Sequence, residues 1–204
     1  MTAKDVERLL AKLTGFSAAR LDQTTRALRA AAVLPQSQRG RGARQLSVSD
    51  VAFYLIAVAA SDQPARAAEA VRCYAPMPGQ DGDSRGEPFA AAIGRALSDL
   101  TLASDIGTVL VCRSWPMATI SRLSGTEVRF LPQTASNSAS ESLAGLGLSP
   151  YPSAGSLLSG NFAVADEAPV FCALRTPLIT AFAQRLAAAE HRAPPSPRAA
   201  HRDR

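Results

Sequence analysis

Residues 9–21, Leu-Leu-Ala-Lys-Leu-Thr-Gly-Phe-Ser-Ala-Ala-Arg-Leu, contain the end of one predicted helix, a short turn and the start of a second helix. The first helix is predicted from Ala3 to Leu13, with Thr2 as its N-cap. Gly15 ends it, because glycine adopts left-handed backbone at little steric cost. The apolar residues of this helix have the spacing of one buried face: Val6, Leu9, Leu10 and Leu13.

A second helix is predicted from its N-cap Ser17 to about Ala32, ahead of Pro35, which cannot continue a helix. Two helices joined by residues 14–17 have the spacing of a helix-turn-helix. An ordinary αα-hairpin has the same short turn, so both interpretations are open at this point. The predicted inward residues of the second helix are Leu21, Thr25, Leu28 and Ala32, and its largely outward arginines are Arg20, Arg26 and Arg29.

On the helix-turn-helix interpretation, the second helix enters the major groove of DNA and presents its N-terminal side chains to the base edges. The predicted base-contacting residues are Arg20, Gln23 and Thr24. Arginine suits guanine and glutamine suits adenine, because each can form two hydrogen bonds with that base. The sequence therefore predicts direct base reading from the first two turns of this helix.

An arginine-rich segment follows, Gln36-Ser37-Gln38-Arg39-Gly40-Arg41-Gly42-Ala43-Arg44, before the next predicted helix. With this segment, residues 4–60 resemble the winged helix-turn-helix of the MerR family. The resemblance rests on Leu13-Thr14-Gly15-Phe16-Ser17, Arg29, Val33-Leu34-Pro35, Arg39 to Arg44, and Asp50-Val51. It implies a DNA-binding unit of the kind found in prophage-type regulators. The residues expected at the DNA backbone or minor groove are Lys12, Arg26, Arg39, Arg41 and Arg44.

Charge is distributed unevenly along the chain. Residues 1–44 have nine basic and three acidic side chains, a net charge of +6, whereas residues 45–191 have a net charge of −4. Residues 192–204 have a net charge of +3, which gives +5 for the chain. A basic segment of this kind favours a polyanionic partner, since contacts of Arg and Lys with phosphates release counterions.

The predicted fold class is α+β, with an N-terminal all-α winged helix-turn-helix unit in residues 1–75 and a small α+β module in residues 88–190. Residues 76–87, rich in Pro, Gly and Asp, are predicted to be a solvated linker. The module is expected to serve dimerisation or sensing. Further helices are predicted at 51–60, 65–74, 88–102 and 177–190, strands at 108–113, 118–123, 128–131, 162–164 and 170–174, a flexible loop at 133–161 and a disordered basic tail at 191–204.

The sequence contains no recognisable catalytic motif. Both histidines, His191 and His201, lie at or in the predicted tail, and neither a phosphate-binding Gly-x-x-x-x-Gly-Lys-[Ser/Thr] loop nor a Gly-x-Ser-x-Gly motif is present. The three cysteines are too widely spaced for a zinc site and are expected to be buried reduced thiols. We therefore expect neither an enzyme nor a cofactor or metal. No apolar run is long enough to span a bilayer, so we also expect a cytoplasmic chain with no membrane partner.

These observations favour a sequence-specific transcriptional regulator that binds double-stranded DNA as a homodimer. A contact with RNA polymerase is compatible with this hypothesis, but no motif specifies it. The alternative is a phage-type DNA-packaging or recombination accessory protein, such as a small terminase or excisionase-like subunit. A third hypothesis is an adaptor whose basic N-terminal segment binds acidic proteins.

Overall fold

The computed structural model describes residues 1–36, 44–132 and 171–190. The helices and strands are α1 (Ala3–Thr14), α2 (Ala18–Ala30), α3 (Val48–Ala60), α4 (Ala67–Tyr74), α5 (Phe89–Ser98), α6 (Leu100–Asp105), β1 (Ile106–Cys112), β2 (Met117–Arg122), β3 (Glu127–Phe130), β4 (Phe171–Arg175) and α7 (Thr176–Glu190). Two short 3-10 helices, Pro64–Arg66 and Gly82–Ser84, precede α4 and α5. The α+β fold class is confirmed.

The predicted ends of α1 and α2 agree with the structure to within two residues. Thr2 and Asp5 form a capping box at the start of α1, which ends at Gly15 with a φ of 74°. The Ser17 hydroxyl caps α2 by accepting a hydrogen bond from the backbone N–H of Arg20. α2 ends earlier than predicted, because Ala32 has a left-handed φ of 57° and is exposed rather than inward.

Helix α3 lies at the centre of the fold. It begins at Val48, three residues earlier than predicted, because Ser47 and Asp50 form a capping box. From Val51 to Ala60 every residue except Phe53 is buried. A helix that is apolar all round must be covered on all sides by other elements.

The elements around α3 come from both halves of the chain. α3 packs against α2 and α4, and also against α5, β1 and β4. The apolar residues of these elements belong to one continuous hydrophobic cluster. α1 and α7, the first and last described helices, are also in contact. The N-terminal unit and the α+β module predicted from the sequence therefore share a single core.

Residues 76–87 are packed against the sheet, so the prediction of a solvated linker was wrong. Met77 is buried in the core. The backbone N–H of Gln80 donates to the carbonyl of Arg129 in β3 at 2.8 Å, and Asp81 forms an ion pair with the Arg129 side chain at 3.1 Å. These contacts cover the outer edge of β3, which would otherwise expose unpaired backbone groups.

The four strands form one antiparallel sheet in the order β3-β2-β1-β4. The predicted hairpin turn between β2 and β3 is confirmed, with Gly125 at a φ of 88°. The predicted helix over 88–102 is instead two helices, because Asp99 has extended backbone and caps α6. Three predictions fall outside the described residues: the loop at 133–161, the strand at 162–164 and the tail at 191–204.

Truncation tests the shared core. A fragment of residues 1–75 would expose the side of α3 that packs on α5 and on the sheet. The apolar area that remains buried would be too small to stabilise a helical unit of this size. We expect this fragment to show no cooperative thermal transition by circular dichroism, in contrast to the full chain. A cooperative transition in the fragment would show instead that the first four helices form an independent domain.

Candidate nucleic-acid interface

Helices α1 and α2 meet through two polar contacts. The Lys4 ammonium donates to Asp22 at 2.8 Å, and the Thr25 hydroxyl donates to Glu7 at 2.6 Å. Both contacts fall within about one turn of each helix. They hold the first half of α1 against the middle of α2.

A buried hydrogen-bond network links α1 and α2 to α3. Glu7 is only 6% exposed, and its second carboxylate oxygen accepts a hydrogen bond from Lys4 at 2.7 Å. The Tyr54 hydroxyl on α3 lies 3.1 Å from the Thr25 hydroxyl and donates to the Leu21 carbonyl at 2.8 Å. Burial raises the pKa of Tyr54, so it remains a neutral donor. Helix periodicity did not reveal the buried Glu7, and it placed Leu13, which is 41% exposed, on the buried face.

The outward face of α2 is a stripe of residues separated by three or four positions. The exposed residues of this stripe are Ala19, Gln23, Arg26 and Ala30. Gln23 thus lies on the surface, as the base-contact prediction requires. Arg26 is also exposed, but its guanidinium forms an ion pair with Asp22 at 2.7 Å within the same helix. Such an exposed pair is weak in water and exchanges easily for a phosphate contact.

Arg20 is half-buried, and its guanidinium is bound within the protein. It donates to the carbonyl oxygen of Ser61 at 2.9 Å and lies over the Phe16 ring at 4.4 Å. Arg113, from the turn after β1, donates to the neighbouring carbonyl of Ala59 at 2.8 Å. The two arginines therefore cap the C-terminal end of α3, where cations are favoured by the free carbonyls. The expectation that Arg20 points outward is corrected: it bridges α2 and α3.

Thr24 is 3% exposed, so its predicted position at a base edge is corrected as well. Its hydroxyl donates to the carbonyl of Arg20 in the preceding turn at 2.9 Å. Arg29, expected outward, is half-buried, and its Nε is buried with no hydrogen-bond partner among the described residues. Of the predicted base-contacting residues, the structure leaves only Gln23 freely accessible.

The acidic side chains of residues 1–44 are all engaged within the fold. Asp5 is bound in the α1 capping box, which lowers its pKa, and Glu7 is bound by Lys4 and Thr25. Asp22 accepts a hydrogen bond from Lys4 and pairs with Arg26, and the Lys4 contact holds its pKa below the usual value. Among the described residues, these three carboxylates form ion pairs only with Lys4 and Arg26.

The remaining described cations of this region are exposed. Arg8, Lys12 and Arg44 form no ion pair with any described residue. Arg44 lies near the start of α1, because the adjacent Gln45 forms a β-bridge with Thr2. Arg39 and Arg41, which were also predicted to contact the DNA backbone or minor groove, lie outside the described residues. Lys12, Arg26 and Arg44 are therefore accessible to an anionic partner.

The described region also contains a small cavity and three cysteines. The cavity of about 20 Å³ between α5 and the sheet has room for about one water molecule. It is lined by Arg95 and Arg122, which pair with Glu87 and Asp83 respectively.

Nowhere in residues 1–36, 44–132 and 171–190 do three or more His, Cys, Asp or Glu side chains group as metal ligands. Cys112 is buried as expected, but Cys73 is exposed. None of the described helices combines the length and apolar character needed to cross a bilayer.

Comparison with known proteins gives no match, whether with family models, curated proteins or solved structures.

Substitution of Arg20 tests its structural role. Arg20→Ala removes the hydrogen bond to Ser61 and the contact with Phe16, at an expected cost of about 1–2 kcal/mol. We expect the melting temperature to fall by about 2–8 °C. Gln23→Ala, on the exposed face of the same helix, is the control and should change it by less than about 2 °C. Equal melting temperatures for the two variants would show that the Arg20 contacts do not stabilise the fold.

Proposed function

We propose that the protein binds double-stranded DNA through the surface formed by α1 and α2. The observation on which this rests is the engagement of all three carboxylates of residues 1–44 by other groups, while the exposed Arg8, Lys12 and Arg44 form no ion pair with a described residue. A surface with uncompensated cations attracts a polyanion. Phosphate contacts by such cations supply most of the sequence-independent affinity for DNA.

The arrangement of the two helices favours duplex DNA over an acidic protein partner. A helix-turn-helix places its second helix in the major groove while the first helix crosses behind it. The contacts of Lys4 with Asp22 and of Glu7 with Thr25 hold α1 against α2. The exposed stripe of α2 has alanines at Ala19 and Ala30, which permit close approach of the helix to the groove.

Within this proposal Gln23 is the base-reading residue. It is exposed on the second turn of α2 and can form two hydrogen bonds with adenine. Arg20 and Thr24 are positioning residues instead, because their side chains are occupied inside the fold. We further propose that the protein acts as a homodimeric transcriptional regulator, since a dimer reads two half-sites about one helical turn apart. A ring-like higher oligomer in solution would favour the packaging protein over the regulator.

Binding of a labelled random-sequence duplex, measured by fluorescence anisotropy at several salt concentrations, tests the proposal. We expect the full chain to bind with an affinity that falls as salt increases. The double variant Arg8→Gln/Lys12→Gln should bind about ten-fold more weakly and reduce the slope of log K against log salt by up to about two.

The matched control is Arg85→Gln/Arg175→Gln, which removes the same charge from exposed arginines outside residues 1–44. It should reduce binding far less. Equal losses in the two double variants would mean that net charge alone attracts the duplex. No salt-sensitive binding by the unmodified chain would reject DNA binding and favour the adaptor hypothesis.

A further inference from the structure

The exposed stripe of α2 is bordered by other elements on two opposite sides. With about 3.6 residues per turn, Asp22 and Thr25 face one side of the helix and Arg20 faces the other, with Gln23 and Arg26 between them. Asp22 and Thr25 contact α1. Arg20 contacts Ser61, at the end of α3. The stripe therefore lies between α1 and the segment that follows α3.

That segment runs along α2 from end to end. The 3-10 helix Pro64–Arg66, just after Ser61, packs against α2. Farther on, the Arg72 guanidinium on α4 donates to the carbonyl of Ala31, at the C-terminal end of α2, at 3.4 Å. α4 is also in contact with α2. The N-terminal and C-terminal ends of α2 are both tied to this one segment.

We propose that Arg66 and Arg72 form the second cationic border of the DNA-binding surface, opposite Arg8 and Lys12 on α1. This inference rests on the proposed function. A helix in the major groove lies between two phosphate backbones across a gap of about 12 Å, so cations are needed on both of its sides. Arg66 and Arg72 are both exposed, and neither forms an ion pair with a described residue. Each places a cation beside a different end of the α2 stripe.

Charge counting along the sequence does not reveal this border. Both arginines lie in residues 45–191, where acidic residues are in excess. Asp62 and Glu69 are exposed on the same segment and oppose the two arginines. If phosphates approach this border, the Glu69 carboxylate repels them, and its removal should strengthen binding. A substitution that merely disturbs the fold weakens binding. A gain in affinity on removal of the Glu69 carboxylate would therefore indicate that charge at this border acts on the bound DNA.

The test uses the full chain and the same random-sequence duplex. Arg66→Gln alone should weaken binding by about three- to ten-fold and lower the salt slope by about one, and adding Arg72→Gln should lower the slope by up to about one more. Glu69→Gln should strengthen binding by about two- to three-fold. If Arg72→Gln disturbs α2, the result for Arg66→Gln is decisive, because the Arg66 side chain forms no hydrogen bond with a described residue. Melting temperatures of the two variants show whether the fold is disturbed.

Three results are informative. Losses larger than that of Arg85→Gln, together with tighter binding by Glu69→Gln, would support the second border. Losses equal to that of Arg85→Gln, while Arg8→Gln/Lys12→Gln still weakens binding, would overturn the second border and leave the proposed function standing. No binding by the unmodified chain would overturn both.

Discussion

The burial of α3 on nearly all sides from Val51 to Ala60 is the constraint on which the rest of the structure depends. A helix with no polar face between Val51 and Ala60 is stable only when every side is covered. α2 and α4 cover part of it, and α5 and the sheet cover the remainder. For this reason the helices near the N-terminus cannot be treated as a separate unit attached to the α+β part of the chain.

The C-terminal end of α3 adds a polar constraint to this apolar one. Its free carbonyls are bound by Arg20 from α2 and by Arg113 from the turn after β1. These contacts fix α2 relative to the sheet, and they remove Arg20 from the set of accessible cations. The same structural role that orients α2 therefore limits which of its side chains can reach a ligand. What remains accessible is a narrow stripe around Gln23, with cations on either side.

Local signals in the sequence predicted much of the fold. Thr2, Gly15 and Ser17 set the ends of α1 and α2 through capping, and the glycine turn set the β2–β3 hairpin. These depend on a few neighbouring residues and so can be found in the sequence alone. The capping box of Ser47 and Asp50 was also present as a Ser-x-x-Asp pattern, although the helix was predicted to begin only at residue 51.

The candidate site was harder to predict, because exposure depends on distant partners. Arg20 is bound by a carbonyl 41 positions away, and Glu7 by a threonine 18 positions away. Helix periodicity alone would place Thr24 near the edge of the buried face and does not decide its exposure. Arg66 and Arg72 come near α2 only through the path of the chain after α3. The central claim, that α2 and its two borders bind duplex DNA, is tested most directly by amide chemical-shift changes during titration of the full chain with a duplex. The account predicts changes concentrated in residues 8–12, 18–30 and 62–72, with little change in β1–β3; changes confined to the sheet, or none at all, would contradict it.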